Sequence, residues 1–105
     1  MESTLFSPEA IIHRDAIENN INTLKKLCAG SDIMAVVKAD AYGHGLLETT
    51  KILSELRCDG YCVATGSEMS TLLSDGIAEP ILHLGRVDSD IIRKLSLFSN
   101  AIFTI

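Results

Sequence analysis

The chain has 105 residues, 47% of them hydrophobic and 22% charged, with a net charge of −5. That composition fits one small globular domain and excludes a disordered chain. The scattered basic residues (Lys25-Lys26 and Arg93-Lys94 are the only pairs) argue against a nucleic-acid surface, which needs clustered Lys and Arg to neutralise phosphates.

No run approaches the roughly 18 apolar residues of a membrane helix. The opening MESTLFSPEA lacks the basic-then-apolar order of a secretory signal. Cys28, Cys58 and Cys62 make an odd count, as expected of reduced thiols in a cytoplasmic protein. Cys58-x-x-x-Cys62 has no second Cys/His pair at ligand spacing, so small apolar packing residues are expected there and no metal site.

In chain order, Ala10 to His13 reads as a short leading strand. Asp15-Ala-Ile-Glu18 has the spacing of a capping box, with Asp15 accepting from first-turn amides. Ile17, Ile21, Leu24 and Cys28 follow on one helical face, and Gly30 is a plausible stop. Ile33 to Val37 is continuously apolar and rich in β-branched residues, the pattern of a parallel strand buried on both faces.

A helix is expected over about Leu46 to Arg57, then an apolar run from Tyr61 to Ala64. Ser67 is the expected cap of a short helix through Ser74, ended by Gly76. Pro80 opens the run Ile81-Leu82-His83-Leu84, and Asp88 or Ser89 caps a helix carrying Ile91, Ile92, Leu95 and Phe98. Ala101 to Ile105 is again strand-like. Strands starting near 33, 61, 80 and 101 with a helix between each pair form a βαβαβαβ series. Such a series requires a parallel sheet with right-handed crossovers. The chain stops inside a strand, and a closed barrel of this kind needs about 250 residues, so an incomplete domain is expected; the alternative is a complete small doubly wound domain.

Lys38 ends the strand Ile33–Val37, at the sheet edge where α/β folds place ligands. Burial there would disfavour the ammonium and leave a nucleophilic amine able to form a Schiff base with an aldehyde. The plain alternative is a lysine that snorkels past the strand end into water. Tyr42 stands four residues on; its hydroxyl suits a phosphate or another anion, or the ring simply bridges strand and helix. Gly43 and Gly45 let the backbone turn sharply, and His44 orients the loop or serves only as loop. No Walker A pattern occurs in the chain.

The stretch Ile33-Met-Ala-Val-Val-Lys-Ala-Asp-Ala-Tyr-Gly-His-Gly45 resembles the pyridoxal-phosphate attachment motif of alanine racemases. Asp15 to Leu24, Val63 to Gly76 with Glu68, and Gly76 to Gly85 align in order with the first barrel units of that family. The resemblance implies an incomplete parallel (β/α)8 TIM-type barrel, first βα units only, in which residues 1–105 are the N-terminal part of the cofactor-binding domain and the C-terminal β domain is absent. It implies interconversion of L- and D-alanine for peptidoglycan synthesis, in a head-to-tail homodimer, with no nucleic acid and no membrane as partners.

By the same resemblance, Lys38 would hold pyridoxal 5'-phosphate and serve as one of two proton-transferring bases, on the D-alanine side. Tyr42 would bind the cofactor phosphate, and Leu84 would pack near the cofactor. The opposite-face base, a tyrosine of the partner's C-terminal domain, and the arginine at the pyridine nitrogen have no counterpart in this sequence. The 105 residues alone are therefore expected to be inactive and poorly soluble, with an apolar strand at an open sheet edge. Two positions depart from the family pattern: His13, where Asp or Asn is more common, and His83, where aliphatic residues are. If Leu82 and Leu84 face the barrel interior, alternation aims His83 at the helix layer as a boundary residue. A related racemase acting on serine or other amino acids, or a non-catalytic cofactor-binding remnant, remains open from these residues.

Overall fold

The computed structural model describes residues 8–38, 41 and 45–104, with side chains from Arg14 onward. Helix α1 spans Pro8–Leu27. Pro8 suits a first helical turn, where its missing N–H costs nothing and its fixed φ is already helical. The leading strand expected at Ala10–His13 is therefore replaced by helix, and Asp15 lies inside α1 rather than at its start, where it could cap. A short apolar run such as Ala10-Ile11-Ile12 is compatible with either element by periodicity alone. The apolar face of α1 is shorter than its pattern. Ile21 is buried and Ile17 packs against the core, whereas Leu24 is 44% exposed and Cys28 is exposed. Past the helix, Gly30 takes φ +90, a left-handed conformation that a Cβ disfavours.

Strand β1 (Met34–Val36), helix α2 (Leu46–Glu55), β2 (Gly60–Val63), α3 (Gly66–Ser74), β3 (Ile81–His83), α4 (Ser89–Leu95) and β4 (Ala101–Phe103) follow in strict alternation. The four strands pair in parallel in sequence order, as the βα series predicts. Register places Ala35, Tyr61, Ile81 and Ala101 in one row and Val36, Cys62, Leu82 and Ile102 in the next. Because side chains alternate across a strand, these rows belong to opposite faces of the sheet.

The first face meets the helices. Tyr61, Val63, Ile81 and His83 are fully buried there with Met69, Leu72 and Leu73 of α3, joined by Leu46 and Leu53 of α2 and Leu95 of α4. The second face is open at its flanks: Met34, Val36 and Ile102 are exposed. β1 is thus buried on one face only, contrary to the expectation from its continuous apolar run. It is an edge strand covered on one side, whereas β2, between two neighbours, is buried along its length.

Polar contacts fix the register. The Ile33 amide donates to Asp59 Oδ2 (2.7 Å), and the Asp59 amide donates to the Ile33 carbonyl (2.9 Å). This reciprocal clasp aligns β1 with β2 at their amino ends. At β4, Asn100 Nδ2 donates to the carbonyls of Ile77 (2.8 Å) and Glu79 (2.9 Å), while its own carbonyl accepts from the Ile81 amide (2.8 Å). Arg14 and Glu55 pair at 2.9 Å between α1 and α2; both are partly solvated, so the pair contributes about 0–1 kcal/mol. Asp88 caps α4 by accepting from the Ile91 amide at 2.9 Å, as the sequence suggests. The cap of α3 is Thr65, two residues before the expected Ser67.

Two predictions follow from this packing. A Cβ built on Gly66 would lie 2.7 Å from Ile91 Cδ1 and 2.9 Å from Ile91 Cγ2, and a β-branched neighbour has little rotamer freedom with which to yield. Gly66→Ala is expected to destabilise the protein by about 1–3 kcal/mol, read from urea unfolding midpoints. Tyr61 is fully buried, and its hydroxyl shares a 2.5 Å hydrogen bond with Ser54. Burial pushes its pKa up to about 12 from 10.0; the Ser54 hydrogen bond opposes this, and Glu79 and Cys58 add to it. The unfolded chain releases this proton near pH 10 and the folded chain retains it to about 12. The stabilisation is therefore whole below pH 10 and is lost as the pH rises through that window. Between those limits, unfolding midpoints should fall more steeply for the wild type than for Tyr61→Phe.

Candidate active site

All-parallel pairing brings the carboxyl ends of β1 to β4 to one edge. At that edge Val37 is buried, at 1% exposure. Its amide extends the sheet by donating to the Cys62 carbonyl (2.9 Å), and its carbonyl accepts from the Ala41 amide (2.9 Å). The second bond ties Ala41 back to the residue just before Lys38. Ala41 has φ +56 and is only 3% exposed. A left-handed backbone costs an L-residue with a Cβ about 1–2 kcal/mol, and strain of this kind gathers where a site needs a fixed geometry. Gly45, at φ +92, leads the chain into α2.

Lys38 is exposed and lies two residues beyond the end of β1. The desolvation expected from burial is not supplied by these four strands. Leu84 lies one residue beyond the end of β3; it is half-buried, and its amide donates to the Val63 carbonyl at 2.7 Å. Lys38 and Leu84 thus share an edge, two strands apart, which is about 10 Å at the usual strand spacing. Tyr42, Gly43 and His44 lie outside the described residues, as does the side chain of His13.

At the same edge the amides of Ala64 and Thr65 donate to Glu68 Oε1 at 2.9 and 3.1 Å, and the Glu68 amide donates to Thr65 Oγ1 at 3.1 Å. This capping box ties the Glu68 amide, one of the first-turn donors of α3, and the two amides that lead into the helix to the protein itself. The Thr65-x-x-Glu68 spacing is its sequence signature, displaced by the reading that placed the cap at Ser67. Ala41 carries no such signature: nothing in the pattern marks an alanine for a left-handed backbone. A shallow groove on the helix side, between the first turns of α2 and α3, presents Glu48 and Glu68, two carboxylates unsuited to a phosphate.

The remaining candidates lie elsewhere. His83 points into the helix layer as alternation predicts, but it is a core residue at 1% exposure, not a boundary one. Its ring centre is 6.3 Å from that of Phe103. Cys58 Sγ makes long contacts to the carbonyls of Ile33 and Gly60, both 3.4 Å. Burial pushes the Cys62 thiol up, with a smaller contribution from Cys58, the opposite of an activated thiolate. Among the described residues no group of three or more His, Cys, Asp and Glu is placed to hold a metal ion. The reactive group the edge offers is the Lys38 primary amine, whose chemistry fits an aldehyde-bearing cofactor.

Residues 12–103 match the family described as "Alanine racemase, N-terminal domain". An alanine racemase of Edwardsiella ictaluri is 51% identical over 75 residues, covering 71% of this chain and 20% of that protein. The solved alanine racemase of Clostridium difficile 630 superposes with a TM-score of 0.77 at 35% identity, over 87% of this chain and 24% of that one. A histidine racemase of Leuconostoc mesenteroides superposes with a TM-score of 0.75 at 29% identity, over 82% and 23% of the two chains. The chain spans about a fifth of the length of the curated relatives it matches. Its parallel βα series is that of the first units of their TIM-type barrel. A family match over residues 12–103, together with the shared fold, makes this chain a member of the alanine racemase N-terminal domain family.

Proposed function

We propose that the protein containing this chain is a pyridoxal 5'-phosphate-dependent racemase that interconverts L- and D-alanine. The carrying observation is Lys38, an exposed primary amine held at the carboxyl edge of a parallel sheet within an eleven-residue match, Ala35 to Gly45, to the family's cofactor motif. The bound cofactor supplies electron withdrawal from the amino acid's α-carbon, which acidifies its hydrogen. Lys38 Nζ is the group that would hold the cofactor through its aldehyde and, when free, would take or return the α-proton on one face of the amino acid. By the family resemblance, Tyr42 would hold the cofactor phosphate, and Leu84 would supply an apolar wall at the same edge. The group acting on the opposite face comes from outside these 105 residues.

On this reading residues 1–105 are the N-terminal part of the barrel domain, completed by a C-terminal β domain and a second subunit. The enzyme works in the cytoplasm and supplies D-alanine for peptidoglycan. No helix among the described residues is long and apolar enough to cross a membrane. The histidine racemase among the structural relatives favours one second reading: the same proton chemistry on a different amino acid, such as serine, selected by residues beyond this chain. A non-catalytic cofactor-binding remnant is the reading to which an inactive full-length protein would point.

The test uses the full-length protein loaded with pyridoxal phosphate, reduced with borohydride and mapped by peptide. Label is expected on Lys38; label on Lys25, Lys26 or Lys51 instead would count against the assignment. Lys38→Ala is expected to lower racemisation by about 100- to 10,000-fold, the usual contribution of a positioned acid–base group, and a panel of amino acids read by chiral chromatography distinguishes alanine from the alternative substrates.

A further inference from the structure

We propose that Ala41 is a positioning residue that holds the Lys38 amine in the orientation from which it captures the cofactor aldehyde. The proposal rests on the reading of Lys38 as the cofactor lysine.

The geometry behind it is a two-sided clamp. On one side of Lys38, Val37 is locked into the sheet through its amide and into the core through its side chain. On the other, the Ala41 amide returns to the Val37 carbonyl at 2.9 Å, and the Ala41 methyl is buried in the same core cluster. Lys38 is exposed between these two buried anchors, so the turn, and not side-chain packing around the lysine, sets where its Cα–Cβ bond points. An exposed lysine has abundant rotamer freedom, so fixing its root is the means the fold has of narrowing the arc its amine sweeps. A reacting group held in one geometry gains rate because the ordering cost is met before the encounter.

The residue type carries the argument further. At φ +56 glycine would relieve the backbone strain, yet the chain has alanine there, with glycines at 43 and 45 nearby. Glycine would also free the turn to sample other conformations. Alanine keeps the strain and gains a buried methyl that pins the turn. Ala41 touches no reacting atom in this scheme; it acts through its hydrogen bond to the carbonyl of Val37, the neighbour of Lys38.

The experiment compares Ala41→Gly, Ala41→Ser and Gly66→Ala with the wild type in the full-length protein. Each is exposed briefly to pyridoxal 5'-phosphate, reduced with borohydride and mapped. The readout is the ratio of label on Lys38 to label on Lys51, an exposed lysine within α2, measured below each variant's thermal midpoint. Ala41→Gly is expected to lower the ratio at least fivefold. Ala41→Ser, which keeps the Cβ, is expected to stay within twofold of wild type. Gly66→Ala, destabilised at a different contact, is expected to leave the ratio unchanged.

An unchanged ratio in Ala41→Gly overturns the proposal. So does an equal fall in Ala41→Ser, or an equal fall in Gly66→Ala at a matched midpoint. If Ala41→Gly shows no cooperative melting, Ala41→Ser decides, and loss of its ratio overturns the proposal. A wild type that does not favour Lys38 over Lys51 sinks the cofactor-lysine reading and this proposal with it. A wild type that favours Lys38 alongside an unaffected Ala41→Gly sinks only the role of Ala41.

Discussion

The structure depends on one constraint: every strand pairs in parallel with the strand before it in the sequence. Parallel neighbours cannot be joined by a tight hairpin, so each connection crosses back over the sheet, and a helix is the compact way to do so. Right-handed crossovers in sequence order place successive helices on one face. The helix-facing row of Tyr61, Val63, Ile81 and His83 is sealed as a result, while Met34, Val36 and Ile102 on the other face keep contact with solvent. The same constraint collects the carboxyl strand ends, with Lys38 and Leu84, along a single edge. Fold and site have one cause.

The alternation of strands and helices was legible because each strand is a short β-branched or apolar run bounded by turn residues, and each helix has a cap or an apolar face. Asp88 shows this at its plainest: type and position narrow the cap to Asp88 or Ser89, and Asp88 takes the role. Three local readings diverge for physical reasons. The segment at Ala10–His13 is too short for periodicity to separate strand from helix, and Pro8 tips it into α1. The β1 run looks doubly buried because sequence records hydrophobicity but not how many neighbours a strand has. Ser67 and Thr65 are both good caps, and the choice falls to the one whose partner three residues on is a glutamate able to reach back.

The site was legible in type and not in mechanics. Lysine after an apolar strand is a candidate nucleophile at a ligand edge, and the proposed cofactor comes from the family resemblance. Neither announces that the turn behind Lys38 closes on a left-handed alanine, because a backbone conformation leaves a mark in sequence only when glycine or asparagine takes it. The exposure of Lys38 also corrects the simplest chemical picture. Four strands can aim an amine but cannot dry it; excluding water from Lys38 requires surface that these strands do not themselves provide.

His83 shows how the core tolerates chemistry the site does not use. Its Nδ1 is buried without a hydrogen-bond partner among the described residues, on the face packed against the helices. A polar atom removed from water and left unmatched carries a desolvation cost of about 1–3 kcal/mol, which the surrounding apolar packing must absorb. An aliphatic side chain of similar size would remove that cost without touching the edge that holds Lys38. Replacing His83 by an aliphatic residue is therefore a route to a more stable core at a position away from Lys38.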